Sequence, residues 1–185
     1  MKAIRFYAKE DVRVEDVPAP NSLGDSQVLI KPLTCGICGT DLHEFAGGPI
    51  VTPASQHKFT GAVLPQILGH EFSAEVVDIG RDVRRVRKGD RISIQPLVMP
   101  LDDYYSRRGL NHLSPSMGCI GLSWAWGGMS ELAIIALEME PRAMPRRPQE
   151  HQALRDGDLS QPGPEGGFPA ELGQMLKQCH HRVLE

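Results

Sequence analysis

The sequence of 185 residues predicts a mainly β fold with short helices, built as a barrel or sandwich of short strands. Apolar residues recur with a period of two along residues 1–136, which is the pattern of half-buried strands. These runs are bounded by Gly, Pro, Asp or Asn, and the chain contains 19 Gly and 15 Pro, so many turns are expected. A convincing helix start occurs at one place.

Six short segments carry the strand pattern, and the turn signals GRD at 80–82 and KGD at 88–90 make two of them neighbours. The segments are 3–6, 12–14, 28–31, 74–77, 91–94 and 131–135. The helix is predicted to begin at Thr40 and Asp41, whose side chains can cap the free amides of residues 42–45.

The amino-acid composition changes at residue 137, and the strand pattern ends there. We therefore predict one folded domain over 1–136 and a divergent, disordered tail over 137–185. The tail holds six of the fifteen prolines among Arg, Gln and Gly. Residues 170–179 could form a short amphipathic helix, which would be marginal by itself. The sequence shows no strand followed by a Gly-x-Gly-x-x-Gly turn, so a Rossmann domain is not expected in it.

The composition excludes several partners. The formal net charge of −3 provides no basic surface for a polyphosphate backbone, so nucleic acid is not an expected partner. The N-terminus lacks a signal-peptide core and no stretch reaches the length of a membrane span, so we expect a cytoplasmic protein with no membrane partner. Four unevenly spaced cysteines do not form a disulfide framework, which leaves metal binding or plain burial.

Two segments carry metal-ligand chemistry: 35–43 (CGICGTDLH) and, some thirty residues later, 69–72 (GHEF). Thiolate, imidazole and carboxylate are the ligands of catalytic zinc, which keeps an open position for substrate. Cys38 lies where the helix begins, and helix-end amides favour its thiolate.

Other interpretations of these residues remain open at this point. A Cys-x-x-Cys pair can be a thioredoxin-like redox site, but that requires a parallel βαβ unit, which the sequence does not predict. Taken alone, Cys38 or His70 is more often a buried core residue than a ligand. The combination of both segments favours a metal site.

The sequence resembles the zinc-dependent medium-chain alcohol dehydrogenases in three consecutive motifs, at 35–43, 69–77 and 86–92. Segments 47–50, 108–110 and 118–123 are most similar to the 2,3-butanediol dehydrogenase branch, with sorbitol and threonine dehydrogenases as near neighbours. The resemblance covers residues 1–135 and implies a GroES-like, partly open β-barrel as the catalytic domain.

The resemblance also implies roles for individual residues. Cys38 and His70 would be ligands of one catalytic zinc ion, and Glu71 a carboxylate at or beside the metal that helps exchange water. Thr40 and His43 would form a proton relay from a small-molecule alcohol to solvent.

Several positions depart from the family pattern. Cys35 matches a position that is usually not a ligand and is expected to be a buried thiol. The four cysteines of a structural zinc, present in many relatives, are replaced, so that second ion is expected to be absent; their positions fall on Pro100, Asp103, Ser106 and Ser114. The acidic pair Asp102 and Asp103, near His112, is interpreted as a solvated loop.

The family continues with a Rossmann domain that binds NAD(P) and supplies the usual oligomer interface, and this part is missing here. Glu140 and Pro141 resemble a family Glu-Pro motif that supplies a further carboxylate ligand, but they occur earlier in the chain, so Glu140 is kept only as an alternative ligand. A truncated or altered reading of a longer gene would explain where the match ends.

Three functional hypotheses follow. The first is a zinc-dependent oxidoreductase by descent, oxidising a secondary alcohol to a ketone with NAD(P), and nearly inactive as this chain alone. The second is a non-catalytic remnant that binds zinc or a protein. The third is a chaperonin-10-like protein, which would not explain the five polar residues of the proposed site. These are Cys38, Thr40, His43, His70 and Glu71.

Overall fold

The computed structural model describes residues 1–136, which form nine strands, one α-helix and two short 3₁₀-helices. The predicted tail and Glu140 lie outside the described residues. The elements in chain order are β1 (Lys2–Ala8), β2 (Asp11–Asp16), β3 (Gln27–Cys35), α1 (Gly39–Gly47), β4 (Gln66–Ile67), β5 (Phe72–Ile79), β6 (Arg91–Ser93), β7 (Leu97–Val98), the 3₁₀-helices Ser106–Arg108 and Asn111–Leu113, β8 (Gly118–Cys119) and β9 (Ala133–Ala136).

The strands form three antiparallel sheets with the orders β2-β1-β4, β6-β5-β3-β9 and β7-β8. They do not close into a single barrel within residues 1–136, which confirms the predicted mainly β, partly open architecture. Every strand pair in this part of the chain is antiparallel, so the described residues contain no Rossmann-type parallel sheet.

The main core lies on one face of the four-stranded sheet. Alternate residues of β3 and β5 point inward, and Val28, Ile30, Ala74 and Val76 are almost completely buried, as the period-two pattern predicts. Each large aliphatic side chain buried in this way stabilises the fold by about 1.5–3 kcal/mol. A second cluster forms around Phe6 under the three-stranded sheet.

Helix α1 begins one residue earlier than predicted. Cys38 is its N-cap residue, and Asp41, in the first turn, accepts a hydrogen bond from the Cys38 amide through Oδ2 at 2.9 Å. Asp41 therefore caps the helix from inside the first turn, while Thr40 is a helical residue.

No helix among residues 1–136 is long and apolar enough to cross a lipid bilayer.

Candidate metal centre

The sheet register brings the two candidate metal segments together. Cys35, at the end of β3, pairs with Phe72, at the start of β5. The residues that follow β3 and those that precede β5 must therefore meet at the same edge of the sheet. The Gly36 amide donates a hydrogen bond to the Glu71 carbonyl at 2.8 Å, which ties the two segments directly.

Gly69 allows the second segment to reach this position. Its φ of +96° lies in the region that favours glycine, and a Cβ there would come within 2.7 Å of the Cys35 sulfur and the Met129 nitrogen. A side chain at this position would thus disturb the main chain immediately before His70.

Cys38, His70 and Glu71 form one cluster in which the candidate ligand atoms all lie within 4.8 Å of one another. Ligand atoms bound to tetrahedral zinc at about 2.0–2.3 Å lie roughly 3.3–3.8 Å apart, so side-chain rotations that draw the widest pair together by about 1 Å let the three residues share an ion. The donor set of thiolate, imidazole and carboxylate also suits zinc. The three residues named from the sequence are therefore brought together and fit a zinc ion.

Local contacts make Cys38 a better metal ligand. A hydrogen bond from the Thr40 amide to the sulfur is the largest cause that lowers the pKa of Cys38, and a side-chain contact with His70 lowers it further. The thiolate is the form that binds metal, so these contacts favour binding.

Asp41 lies beside the metal cluster, although the sequence analysis treated it only as a helix cap. Its Oδ1 lies 3.6 Å from His70 Nδ1, and both atoms are buried without a hydrogen-bond partner in the described structure. The Asp41 carboxylate raises the pKa of His70 to about 9. Because Nδ1 faces this carboxylate, Nε2 is the ring nitrogen available for a ligand. The spacing of 29 residues between Asp41 and His70 carries no periodic signal that could have indicated the contact.

The predicted relay residues lie on the same helix. The Cys38 sulfur is 3.7 Å from the Thr40 hydroxyl, which places Thr40 beside the cluster. His43 is exposed and no hydrogen bond joins it to Thr40 among the described residues. The structure thus brings Thr40 to the site and leaves His43 on the solvent side of α1.

Cys35 is outside the metal cluster. Burial raises the pKa of its thiol to about 12, and its sulfur donates to the Gly36 carbonyl at 3.4 Å. The side chain is only partly buried, so the thiol is less enclosed than the sequence predicts.

The loop of Asp103 is organised by hydrogen bonds. Asp103 accepts from the Ser106 amide at 2.6 Å and from the Ser114 hydroxyl. These contacts lower the pKa of Asp103, with the Ser114 hydroxyl as the largest cause. Asp103 therefore contacts two of the other three positions that correspond to the family's structural-zinc cysteines.

A cavity of about 510 Å³ opens beside His70 and Glu71. Part of its wall is a row of hydroxyl groups on three adjacent strands, since Thr34 pairs with Ser73 and Ser73 with Ser93. A small molecule bound near the cluster thus has both room and polar partners.

Residues 24–140 match the alcohol dehydrogenase GroES-like domain family. Since this match covers more than half of the chain, the protein belongs to that family.

Individual members of the family that are similar to this chain include butanediol dehydrogenases. The (R,R)-butanediol dehydrogenase of Neisseria gonorrhoeae is 35% identical over 203 residues, which cover 100% of this chain and 57% of the relative. The (R,R)-butanediol dehydrogenase of Bacillus subtilis is 38% identical over 140 residues, covering 75% of this chain and 39% of the relative. The crystal structure of 2R,3R-butanediol dehydrogenase from Bacillus subtilis has a TM-score of 0.68 at 37% identity, over 75% of this chain and 39% of that one. The chain thus spans between 39% and 57% of the length of these curated relatives.

Proposed function

We propose that this chain is the zinc-binding catalytic part of an NAD(P)-dependent dehydrogenase that reversibly oxidises a secondary alcohol, of the 2,3-butanediol or polyol type, to a ketone. The observation that carries the proposal is the Cys38, His70 and Glu71 cluster, in a chain that belongs to an alcohol dehydrogenase family. The names of the similar butanediol dehydrogenases support the substrate class.

Each residue of the site has a separate role in the proposed reaction. Cys38 and His70 would hold the zinc ion, with Glu71 at or beside it, and Asp41 keeps the His70 ring oriented. A bound zinc ion supplies Lewis-acid polarisation that lowers the pKa of the alcohol hydroxyl. The Thr40 hydroxyl would accept the proton and pass it towards His43, whose exposure suits exchange with water.

The nicotinamide coenzyme supplies the hydride acceptor of this reaction. Residues 1–136 contain no parallel nucleotide-binding sheet. We therefore expect the isolated chain to turn over alcohol very slowly. We also expect a cytoplasmic enzyme that oligomerises through residues outside the described domain.

Metal content tests the proposal. We expect the purified chain to carry about one zinc ion, and the Cys38→Ser variant to carry almost none, because the loss of one thiolate removes a principal ligand. Elemental analysis after dialysis measures both. Cys35→Ser is the matched control, since Cys35 is in the same motif but outside the cluster, and it should keep its zinc.

Two results would contradict the proposal. Equal zinc content in the wild type and Cys38→Ser would show that the metal binds at another site. Absence of zinc from both proteins would show that the chain does not use this metal. Formation of NADH from 2,3-butanediol is the companion measurement. A chain that binds zinc but shows no turnover, even when it is joined to a nucleotide-binding domain, would favour a non-catalytic zinc-binding protein.

A further inference from the structure

The loop 99–117 carries a large share of the exposed apolar surface. Among residues 1–136, ten large apolar side chains are exposed, and four of them lie between residues 101 and 113. They are Leu101 (61% exposed), Tyr104 (64%), Leu110 (40%) and Leu113 (50%). Single exposed apolar residues are common on protein surfaces, whereas several close together mark a site of contact with another molecule.

Local hydrogen bonds bring three of these residues together. Leu110 is the N-cap of the 3₁₀-helix Asn111–Leu113, and the Leu113 amide donates to the Leu110 carbonyl at 2.9 Å. Residues three apart eclipse each other in a 3₁₀-helix, so Leu110 and Leu113 share a face. The Leu110 amide donates to the Tyr105 carbonyl at 3.0 Å, which returns this face to the segment of Tyr104. We call Tyr104, Leu110 and Leu113 the apolar patch of the loop.

The apolar patch is ordered before any partner binds. The guanidinium carbon of Arg108 lies 3.7 Å from the centroid of the Tyr104 ring, and Arg108 Nη1 donates to the Tyr104 carbonyl at 2.9 Å. Asp103 anchors the same loop through the Ser106 amide and the Ser114 hydroxyl. A partner that binds an ordered surface loses little conformational entropy at it. Tyr and Arg are also residues that are enriched at the centres of protein interfaces.

Two unpaired charges of opposite sign accompany the apolar patch. Asp102 and Arg107 are exposed, and neither side chain forms an ion pair or a hydrogen bond with another described residue. When two copies of a chain pair about a two-fold axis, each contact occurs twice, so Asp102 of one protomer can face the partner's Arg107 and the reverse. Residues 101–113 contain two Asp and two Arg, and this balance suits a second copy better than an anionic lipid surface, which requires an excess of cations.

The size of the exposed surface sets the expected strength of such a contact. The exposed parts of the four apolar side chains amount to roughly 400 Å². Burial of this area on both protomers, together with the charged rim, removes about 1,000 Å² from water, which is the lower end for a specific interface. The expected contact is therefore specific but weak, with a Kd of roughly 10 µM.

We propose that the loop 99–117 is a self-association surface through which two copies of this chain pair about a two-fold axis. The apolar patch forms the centre of the contact, and Asp102 of each protomer pairs with the partner's Arg107. This contact is additional to any association through residues outside the described domain. It does not involve the candidate metal centre, so it goes beyond the proposed function and is independent of it.

Sedimentation velocity of the full chain tests the contact. We expect the average mass to double between about 1 and 100 µM, in line with a Kd of roughly 10 µM. Tyr104→Ser and Leu113→Ser should each weaken association at least about tenfold, because each removes an apolar side chain from the centre of the contact. Val14→Ser is the matched control, since Val14 is 42% exposed on β2, and it should associate as the wild type does. The three side chains are exposed, so the variants should unfold at the wild-type temperature when dilute.

Exchange of the two charges tests the two-fold arrangement. Asp102→Arg and Arg107→Asp each place like charges opposite one another twice, so each should weaken association at least about tenfold. The double variant Asp102→Arg with Arg107→Asp places opposite charges together again, and its Kd should lie within about threefold of the wild-type value. Such a recovery requires that the two residues face each other across the contact.

Three results would overturn the proposal: a mass that does not depend on concentration, association that Tyr104→Ser and Leu113→Ser leave unchanged, or a double variant that associates as weakly as the single charge variants. Sedimentation with vesicles of phosphatidylserine and phosphatidylcholine examines a lipid surface as the other occupant. We expect the wild type to stay in solution, and vesicle binding that Leu113→Ser abolishes would also overturn the proposal. None of these measurements requires zinc, so failure of the proposed function would leave them unaffected.

Discussion

The contact between His70 and Asp41 shows how one carboxylate sets the state of a candidate metal ligand. The raised pKa of His70 means that the metal-free protein is stabilised by this contact below the ordinary histidine pKa of about 6.5, and loses that stabilisation as the pH rises through about 9. Protons therefore compete with a metal ion for the ring over the neutral range, and binding should tighten as the pH increases.

Replacing Asp41 with Asn isolates this effect. We expect the pKa of His70 in the metal-free Asp41→Asn protein to fall from about 9 towards its ordinary value, because the negative charge beside Nδ1 is removed. NMR titration of the His70 ring measures it. Asp16→Asn removes an exposed carboxylate on β2 and should leave the titration of His70 unchanged. A titration of His70 that is the same in Asp41→Asn and the wild type would show that the carboxylate does not control the ring.

The sequence was sufficient to name the residues that could hold the metal, but it was not sufficient to describe what surrounds them. Cys38 and His70 are each adjacent to a glycine in short recognisable motifs, Glu71 follows His70, and the three residues do converge. The environment of Asp41 and of Glu44, a buried residue of α1 whose carboxylate accepts hydrogen bonds from main-chain amides, depends on segments far along the chain or in an irregular loop. Local periodicity carries no information on such contacts, so the sequence indicated Asp41 only as a helix cap and did not single out Glu44.

At the scale of elements, the loop from residue 99 to 117 is stabilised by one carboxylate. Asp103 connects the 3₁₀-helix Ser106–Arg108 to Ser114 through an amide and a hydroxyl donor. A carboxyl whose pKa is lowered in the folded state stabilises the loop above its ordinary pKa, near 3.9, and that stabilisation is lost as the pH falls through the lowered value.

Asp103→Asn should loosen this loop at neutral pH. The amide side chain is neutral and offers one acceptor where the carboxylate offers two, so we expect faster amide exchange at residues 106 and 114–117. Hydrogen-exchange mass spectrometry of loop peptides measures the change. Asp102→Asn, next in the chain and exposed, is the control. The carboxylate would have no such role if both variants exchanged alike, or if the wild-type loop kept its protection under strongly acidic conditions.

The elements that the sequence predicted best are those with a continuous pattern. All six predicted strands overlap observed strands, because alternation over three or more residues reflects burial on one face. Strands β4, β7 and β8 were not predicted. Each has two residues, too few for any period, and forms because the folded chain brings a partner strand alongside.

At the scale of the whole described domain, main-chain hydrogen bonds connect the segments 68–69 and 128–129 to each other and to strand β1. The Met129 amide donates to Leu68, the Ile4 amide donates to Met129, and the Gly128 amide donates to Gly69. These bonds link strand β1 to the segment that carries His70. The metal cluster thus depends on the packing of the three-stranded sheet against the rest of the domain.

Gly69→Ala should weaken the whole domain. The substitution adds strain at positive φ and forces a contact with Cys35 and Met129, so we expect a loss of unfolding free energy of more than about 2 kcal/mol and a lower zinc content. Urea unfolding measures the first quantity. Gly89→Ala is the matched control, since Gly89 has a φ of +86° with no atom within 4 Å, and it reports the strain alone. Equal losses in the two variants would mean that the crossing at Gly69 tolerates a side chain.

The domain boundary at residue 136, the tail and Glu140 stay predictions, because they concern residues outside the described part of the chain. The strand pattern ends there and the proline content rises, but composition does not determine how a segment packs.

The hydrogen bond between Gly36 and Glu71 has a consequence for metal capture. It closes a main-chain bridge between the two ligand-bearing segments as soon as β3 and β5 have paired. Ligand convergence is thereby completed during folding and not during metal uptake. An incoming ion then needs to shed its water and displace protons, but it does not need to order the backbone, which distinguishes this design from small domains that remain unfolded until metal arrives.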